Sequence, residues 1–292
     1  MDFTPDLLDD FLDKKVAIFI GAGVSAGVNT RTHKPILTWS DFIKSAALRT
    51  GNEGLISDVD ELLSSGDYLF SCELLKDHYA DDWEGILRDE YEKIGELSPL
   101  QKKIISLKQR IIVTTNFDLF IDNGWERVND EATHYIKVKN GVSAECFSMF
   151  RDNENYLVKL HGSINNPETM IFSLSDYASK AHANWQYSMF MDTLLMTHTV
   201  LFVGFSMNDH VITDLLDSHA KKYPKNRPHY AFLADCFSEK KIRVMKKHRK
   251  LFVIPYSSEN NHAALPELFD NLLESILQRK KLRDADIQSA SM

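Results

Sequence analysis

Three cysteines in 292 residues, Cys72, Cys146 and Cys236, stand far apart, with no CxxC pair among them. Their isolation excludes a thiolate zinc module and a disulfide framework as organising devices, and leaves buried thiols in a reducing compartment as the expectation. No apolar run approaches 18 residues and no basic-then-apolar leader opens the chain, so no membrane span is expected and the cytoplasm is the expected location. Positive charge is the minority: 34 Lys and Arg oppose 42 Asp and Glu, giving a net charge of -8. That balance argues against a protein-wide nucleic-acid footprint. Aromatic residues make up 11% of the chain but are scattered, not interleaved with basic ones, so a base-stacking platform has no support. Internal repeats and low-complexity linkers are also lacking. What remains is an ordinary globular composition, 43% hydrophobic and 26% charged, with material for one large domain or two small ones.

What is present begins with Val16-Ala17-Ile18-Phe19-Ile20, an apolar run that reads as a buried strand, followed by the turn Gly21-Ala22-Gly23-Val24-Ser25-Ala26-Gly27. If the turn starts a helix, its backbone N–H groups face the strand end and suit a phosphate. The stretch fits two motifs at once: a dinucleotide fingerprint at Gly21, Gly23 and Ala26, and a nucleophile elbow around Ser25. A dehydrogenase needs an acid ending a second strand roughly 20 residues on; Asp41 has that distance but falls in helical sequence. The elbow would follow the first strand of the chain, and His161, His248 and His262 compete as its partner. No P-loop lysine follows the glycines. Ser25 is therefore read as a hydroxyl contact to phosphate or ribose.

Along the chain, Thr4-Pro5-Asp6 caps a short helix with Leu7, Leu8, Phe11 and Leu12 on its buried stripe. Residues 28–37 read as an exposed loop, and Thr38 or Ser40 caps the next helix, with Trp39 as core or pocket wall. Helical spacing recurs at 59–63, 68–78, 83–94 and 99–107 with no strand, which makes residues 51–108 a helical module. The sheet resumes at 110–114, followed by Thr115-Asn116-Phe117-Asp118 and a helix over 119–128. Strands are expected at 135–138 and 156–160, the latter ending at His161-Gly162-Ser163, and a short one at Met170-Ile171-Phe172. Ser173 or Ser175 caps an interrupted helix reaching His198. The strand 199–203 ends at Gly204-Phe205-Ser206-Met207-Asn208-Asp209, where Asp209 reads as an N-cap for a helix over 211–222. Strands at 229–233 and 251–254 enclose a helix at 239–248; a last helix, 263–281, leads into a polar tail, 283–292. Alternating strands and helices predict an α/β fold, a Rossmann-like and mostly parallel sheet sandwiched by helices, in one domain over 1–282. The polar runs fall just after strands, where open α/β sheets bind ligands.

The ordered set Gly21-Ala22-Gly23-Val24-Ser25, Thr114-Thr115-Asn116-Phe117-Asp118, His161-Gly162 and Gly204-Phe205-Ser206 resembles the sirtuin family, over roughly residues 16–256. The departures are informative. The zinc-binding CxxC pairs of deacylating sirtuins are missing, Ile36-Leu37-Thr38-Trp39 replaces their GIPxFR segment, and Thr115 stands where glutamine is usual. The pattern looks like the zinc-less, bacterial defence-associated sirtuin-like branch. That resemblance implies hydrolysis of NAD, as substrate and without a metal, to nicotinamide and ADP-ribose in abortive anti-phage defence. It implies Asn116 and His161 as catalytic residues, Asn116 holding ribose hydroxyls or water and His161, with an unperturbed pKa of ~6.5, acting as general base. Gly21, Ala22, Gly23 and Ser25 would hold the pyrophosphate, Asp118 the nicotinamide amide, Gly204 and Ser206 the adenosine ribose, and residues 256–261 the adenine. Blander roles stand beside these: Asn116 as a helix cap, His161 as a hydrogen-bonded structural residue. The competing functions are a silent NAD or ADP-ribose sensor and an NAD-dependent protein deacylase. No sensor segment stands out, so control by homo-oligomer assembly or by a separately encoded sensor or ATPase partner is expected.

Overall fold

Strand β1 (Val16–Ile20) is buried at all five positions because both faces of its sheet are covered. Val16, Ile18 and Ile20 enter one hydrophobic core and Ala17 and Phe19 the other, so the alternation inherent in a strand is hidden in the sequence by apolar residues on both sides. This is seen in a computed structural model that describes residues 3–26, 28, 30, 34–128, 135–207 and 209–290. Among these residues the strands form a single parallel sheet in the order β3-β4-β2-β1-β5-β6-β7. The remaining strands are β2 (Ile111–Thr114), β3 (Ile136–Asn140), β4 (Asn155–Lys159), β5 (Thr199–Val203), β6 (His229–Ala234) and β7 (Leu251–Tyr256). The α/β, Rossmann-like sandwich predicted from the alternation is the fold observed.

On the first face lie α1 (Pro5–Leu12), capped by Thr4, and α2 (Trp39–Arg49), capped by Thr38. The strand-free stretch folds as α3 (Glu53–Ser65), α4 (Tyr68–Tyr79), α5 (Trp83–Tyr91) and α6 (Pro99–Ser106). Asn52, Asp67 and Ser98 cap three of these, Ser98 with Gln101 in a reciprocal capping box, so the breaks between helices are written by local hydrogen-bonding residues. The same face carries α7 (Phe120–Val128). The second face holds α8 (Trp185–Thr197), α9 (His210–Lys222) and α10 (Glu239–Arg249). Phe172 joins the module to the sheet: its ring meets Trp39, Phe42, Trp83, Tyr91 and Phe117 at centroid distances from 5.2 to 6.1 Å. Trp39 also stacks on Tyr68 at 5.5 Å.

Two expectations are corrected. Met170-Ile171-Phe172 is an extended connector and not a strand, because the Ile171 amide donates to the His161 carbonyl at 2.8 Å instead of joining a ladder. The last helix, α11 (Ala264–Ala290), continues through the polar stretch from Arg283. Arg279 pairs with Asp9 at 2.6 Å and Arg283 with Asp13 at 2.7 Å, so its polar end is held along α1 by charge where apolar contacts run out. Gly27, Asn29 and Asn208 lie outside the described residues.

Candidate active site

The chain leaves β1 toward β2 on one side and later returns to β5 on the other, so the C-terminal end of β1 is a topological switch point, the crevice where such sheets take ligands. There the turns after β1 and β5 interlock. Gly21 donates to the Val203 carbonyl and Gly23 to the Gly204 carbonyl, both at 2.9 Å. A Cβ on Gly21 would stand 2.5 Å from the Gly204 oxygen, and one on Gly204, whose φ is +62°, would stand 2.7 Å from the Val24 nitrogen. The expected helix is a single 3-10 turn, Ala22–Val24, whose following amides at Ser25 and Ala26 bond to the Ala22 carbonyl. Most of the amides expected to face a phosphate are thus engaged with protein, and the glycines are demanded first by the approach of one turn to the other.

The β2 end meets this turn through side chains. Asn116 Nδ2 donates to the Gly21 carbonyl and to Ser25 Oγ, each at 3.1 Å, and Ser25 Oγ donates to Asp118 Oδ2 at 2.8 Å. Because a carbonyl only accepts, the Gly21 contact fixes which end of the Asn116 amide faces the turn. The second Asp118 oxygen accepts from the Phe120 amide at 3.2 Å, so Asp118, not Asn116, caps α7. Beneath lies Lys159, 1% exposed. Its ammonium donates to the Phe117 and Asp118 carbonyls and pairs with Asp122 at 3.2 Å. Burial pushes the Asp122 carboxyl above its usual range while Lys159 pulls it down.

His161 follows β4 as Asn116 follows β2. Thr114 pairs with Lys159 at the end of the parallel ladder, and two residues further on, in the segments that follow the two neighbouring strands, come Asn116 and His161. The His161 side chain is buried. Nε2 lies 3.0 Å from the Tyr187 hydroxyl and 3.5 Å from Asp209 Oδ2, while Nδ1 lies 3.4 Å from the Tyr177 hydroxyl, which donates to Asp209 at 3.0 Å. His161 leaves the end of β4 and Asp209 follows β5, with β2 and β1 between: three strand intervals, about 14 Å. Their contact therefore spans the ends of β1 and β2, where Gly21 and Asn116 emerge. Burial lowers the His161 pKa and Asp209 raises it, burial prevailing. Burial also drives the Tyr177 and Tyr187 hydroxyls well above their usual range, so both remain hydrogen-bond donors.

Residues 110–254, from the start of β2 into β7, match the family model of the SIR2-like domain. Over those residues the chain is SIR2-like. It is 29% identical over 154 residues to defense-associated sirtuin 2 of Bacillus subtilis, covering 51% of this chain and 14% of that protein. It is 24% identical over 292 residues to NAD(+) hydrolase ThsA of Bacillus cereus strain MSX-D12, covering 95% of this chain and 56% of that protein. A ThsA of Acinetobacter baumannii strain 532279 is 24% identical over 234 residues, covering 77% and 43%. The chain thus spans little more than half, or less, of the length of these curated relatives.

The structure brings Gly21, Ser25, Asn116 and Asp118 into one hydrogen-bonded cluster, sets Gly204 against Gly21, and carries His161 to the same edge. Ala22 and Ser206 are exposed beside them. Among the described residues, no group of three His, Cys, Asp or Glu side chains is arranged to hold a metal ion, and no helix is long and apolar enough to cross a membrane. Sequence reasoning does not reach Lys159, Tyr177 or Tyr187, and gives Asp209 only its capping role. A lysine inside the apolar run Tyr156–Leu160 is the one local signal; the tyrosines look like ordinary core residues of a helical segment.

Proposed function

We propose that this SIR2-like chain hydrolyses NAD to nicotinamide and ADP-ribose and serves as a cytoplasmic effector of anti-phage defence. The observation that carries the proposal is the placement of Asn116 and His161 just after the neighbouring strands β2 and β4 at the C-terminal edge of the sheet, one a neutral amide fixed by Gly21 and Ser25, the other a histidine that burial keeps neutral. The names of its relatives, an NAD(+) hydrolase and a defense-associated sirtuin, support the same reading.

The chemistry asks little of the protein. As the bond between nicotinamide and ribose breaks, its electron pair leaves with nicotinamide and positive charge develops on the sugar. Water adds to the sugar carbon and loses a proton, for which His161 is the base. With both Asn116 amide hydrogens donated to protein, its carbonyl oxygen is the acceptor left for a ribose hydroxyl or the water. Gly21, Ala22, Gly23 and Ser25 are proposed to face the pyrophosphate, Asp118 the nicotinamide amide, and Gly204 and Ser206 the adenosine ribose. Control is proposed to come from homo-oligomer assembly or from a separately encoded partner.

Purified protein incubated with NAD should release nicotinamide, and His161→Ala and Asn116→Ala should each abolish release while leaving the fold intact by circular dichroism. Binding of NAD without nicotinamide release would favour a sensor; turnover only with an acetylated peptide would favour a deacylase.

A further inference from the structure

We propose that Asp209 is a positioning residue for His161, acting through the Tyr177 hydroxyl to hold the imidazole in its Nδ1–H form with Nε2 as the basic nitrogen. The inference rests on His161 being the base of the proposed hydrolysis, but its geometry stands apart from that activity. Asp209 uses its two oxygens for different ends. Oδ1 caps α9, accepting from the Val211 and Ile212 amides at 3.1 and 3.3 Å. Oδ2 turns inward to Tyr177 at 3.0 Å and to His161 Nε2 at 3.5 Å.

The donor count then points to one tautomer. A carboxylate only accepts, so Tyr177 donates its single hydrogen to Asp209. Its oxygen can then only accept from Nδ1, 3.4 Å away, which requires a hydrogen on that nitrogen. Nε2 is left with a lone pair, and the Tyr187 hydroxyl at 3.0 Å donates to it. When the Tyr187 hydroxyl passes its hydrogen to Nε2 and takes up the proton lost by the attacking water, the resulting imidazolium has Asp209 Oδ2 3.5 Å away. The charge that develops on the base is met by a carboxylate already in place, and no oxidant, metal or further reactant is needed. The groups facing the ring come from three elements: Tyr177 from the segment before α8, Tyr187 from α8, and Asp209 from the start of α9. Asp209 alone among them carries charge.

Asp209→Asn in the full chain tests this. Asparagine caps a helix as well as aspartate does, so the melting temperature should stay within a few degrees of wild type. The kcat for nicotinamide release should fall 10- to 100-fold with KM changed less than threefold, and the acidic limb of the kcat profile should move to lower pH, because the carboxylate that favours a protonated His161 is gone. Tyr177→Phe should lower kcat similarly. An unchanged kcat, or a loss that follows the melting temperature with an unmoved acidic limb, overturns the proposal. Nitrogen NMR of the His161 ring decides it without turnover: an Nδ1–H ring in wild type that loses this preference in Tyr177→Phe supports the relay, and an Nε2–H ring in wild type refutes it. If wild type shows the Nδ1–H ring but releases no nicotinamide, the positioning contact stands and the hydrolase reading falls.

Discussion

At the C-terminal edge of the sheet two polar clusters are assembled in opposite ways. The cluster of Ser25, Asn116 and Asp118 draws on two adjacent turns, and its residues follow β1 and β2 directly in the chain. The cluster around His161 draws on the end of β4, the segment before α8, α8 itself and the cap of α9. In the first, side chains bond to main-chain groups and to one another beside exposed Ala22 and Ser206. In the second, hydroxyls and a carboxylate surround a buried ring. The difference teaches how the proposed labour divides: the turn cluster offers polar groups to a ligand, while the enclosed cluster sets the protonation of one nitrogen.

Removing the cation beneath the turn cluster should have the largest effect. Lys159→Met leaves Asp122 buried without its partner and frees the Phe117 and Asp118 carbonyls, and should cost about 3–5 kcal/mol in a denaturant titration. A loss under about 1 kcal/mol would show that Asp122 simply takes up a proton and that the turn holds itself.

Acid comes next, and it bears on the buried histidines, His161 of the enclosed cluster among them. The pKa of His229 is pushed down to about 3, and burial also lowers His161 and His219. Unfolded histidines bind protons below about pH 6.5 while these folded ones refuse them, so stability falls as pH drops from about 6.5 toward 3. His229 alone should account for about 2 kcal/mol between pH 7 and pH 5. A chain equally stable at both values would mean that buried histidines open to solvent at little cost.

The smallest effects give the most direct comparison. Tyr187→Phe leaves His161 Nε2 short of a donor in a buried site and should cost about 1–3 kcal/mol. Ser25→Ala should cost about 1 kcal/mol, since Asp118 keeps the Phe120 amide and Asn116 keeps the Gly21 carbonyl. If thermal melts rank them the other way, the turn cluster is the more rigid of the two.

The same contrast explains what was legible in the sequence. The β1 and β5 runs, the caps at Thr4, Thr38 and Asp209, and the helical module are local patterns, and they emerge as expected. Gly21, Ser25, Asn116 and Asp118 are legible because each sits in a turn directly after a strand. Tyr177, Tyr187 and the inward oxygen of Asp209 are not, because nothing near them in the chain says which ring they will meet; that depends on how the segments after β4 and β5 fold back over the sheet. Ile171 misleads for a related reason: its apolar neighbours suit a strand, but its amide is taken by the His161 carbonyl.

The contact between the turns after β1 and β5 limits how this site can be changed. A side chain placed at Gly21 meets the backbone at Gly204, and one placed at Gly204 meets the backbone at Val24, so neither glycine can be replaced without moving the other turn. Lengthening the turn after β5 would shift the Gly204 carbonyl on which the Gly23 amide depends. Redesigning this contact therefore calls for changing both segments together, although most of the domain separates them along the chain.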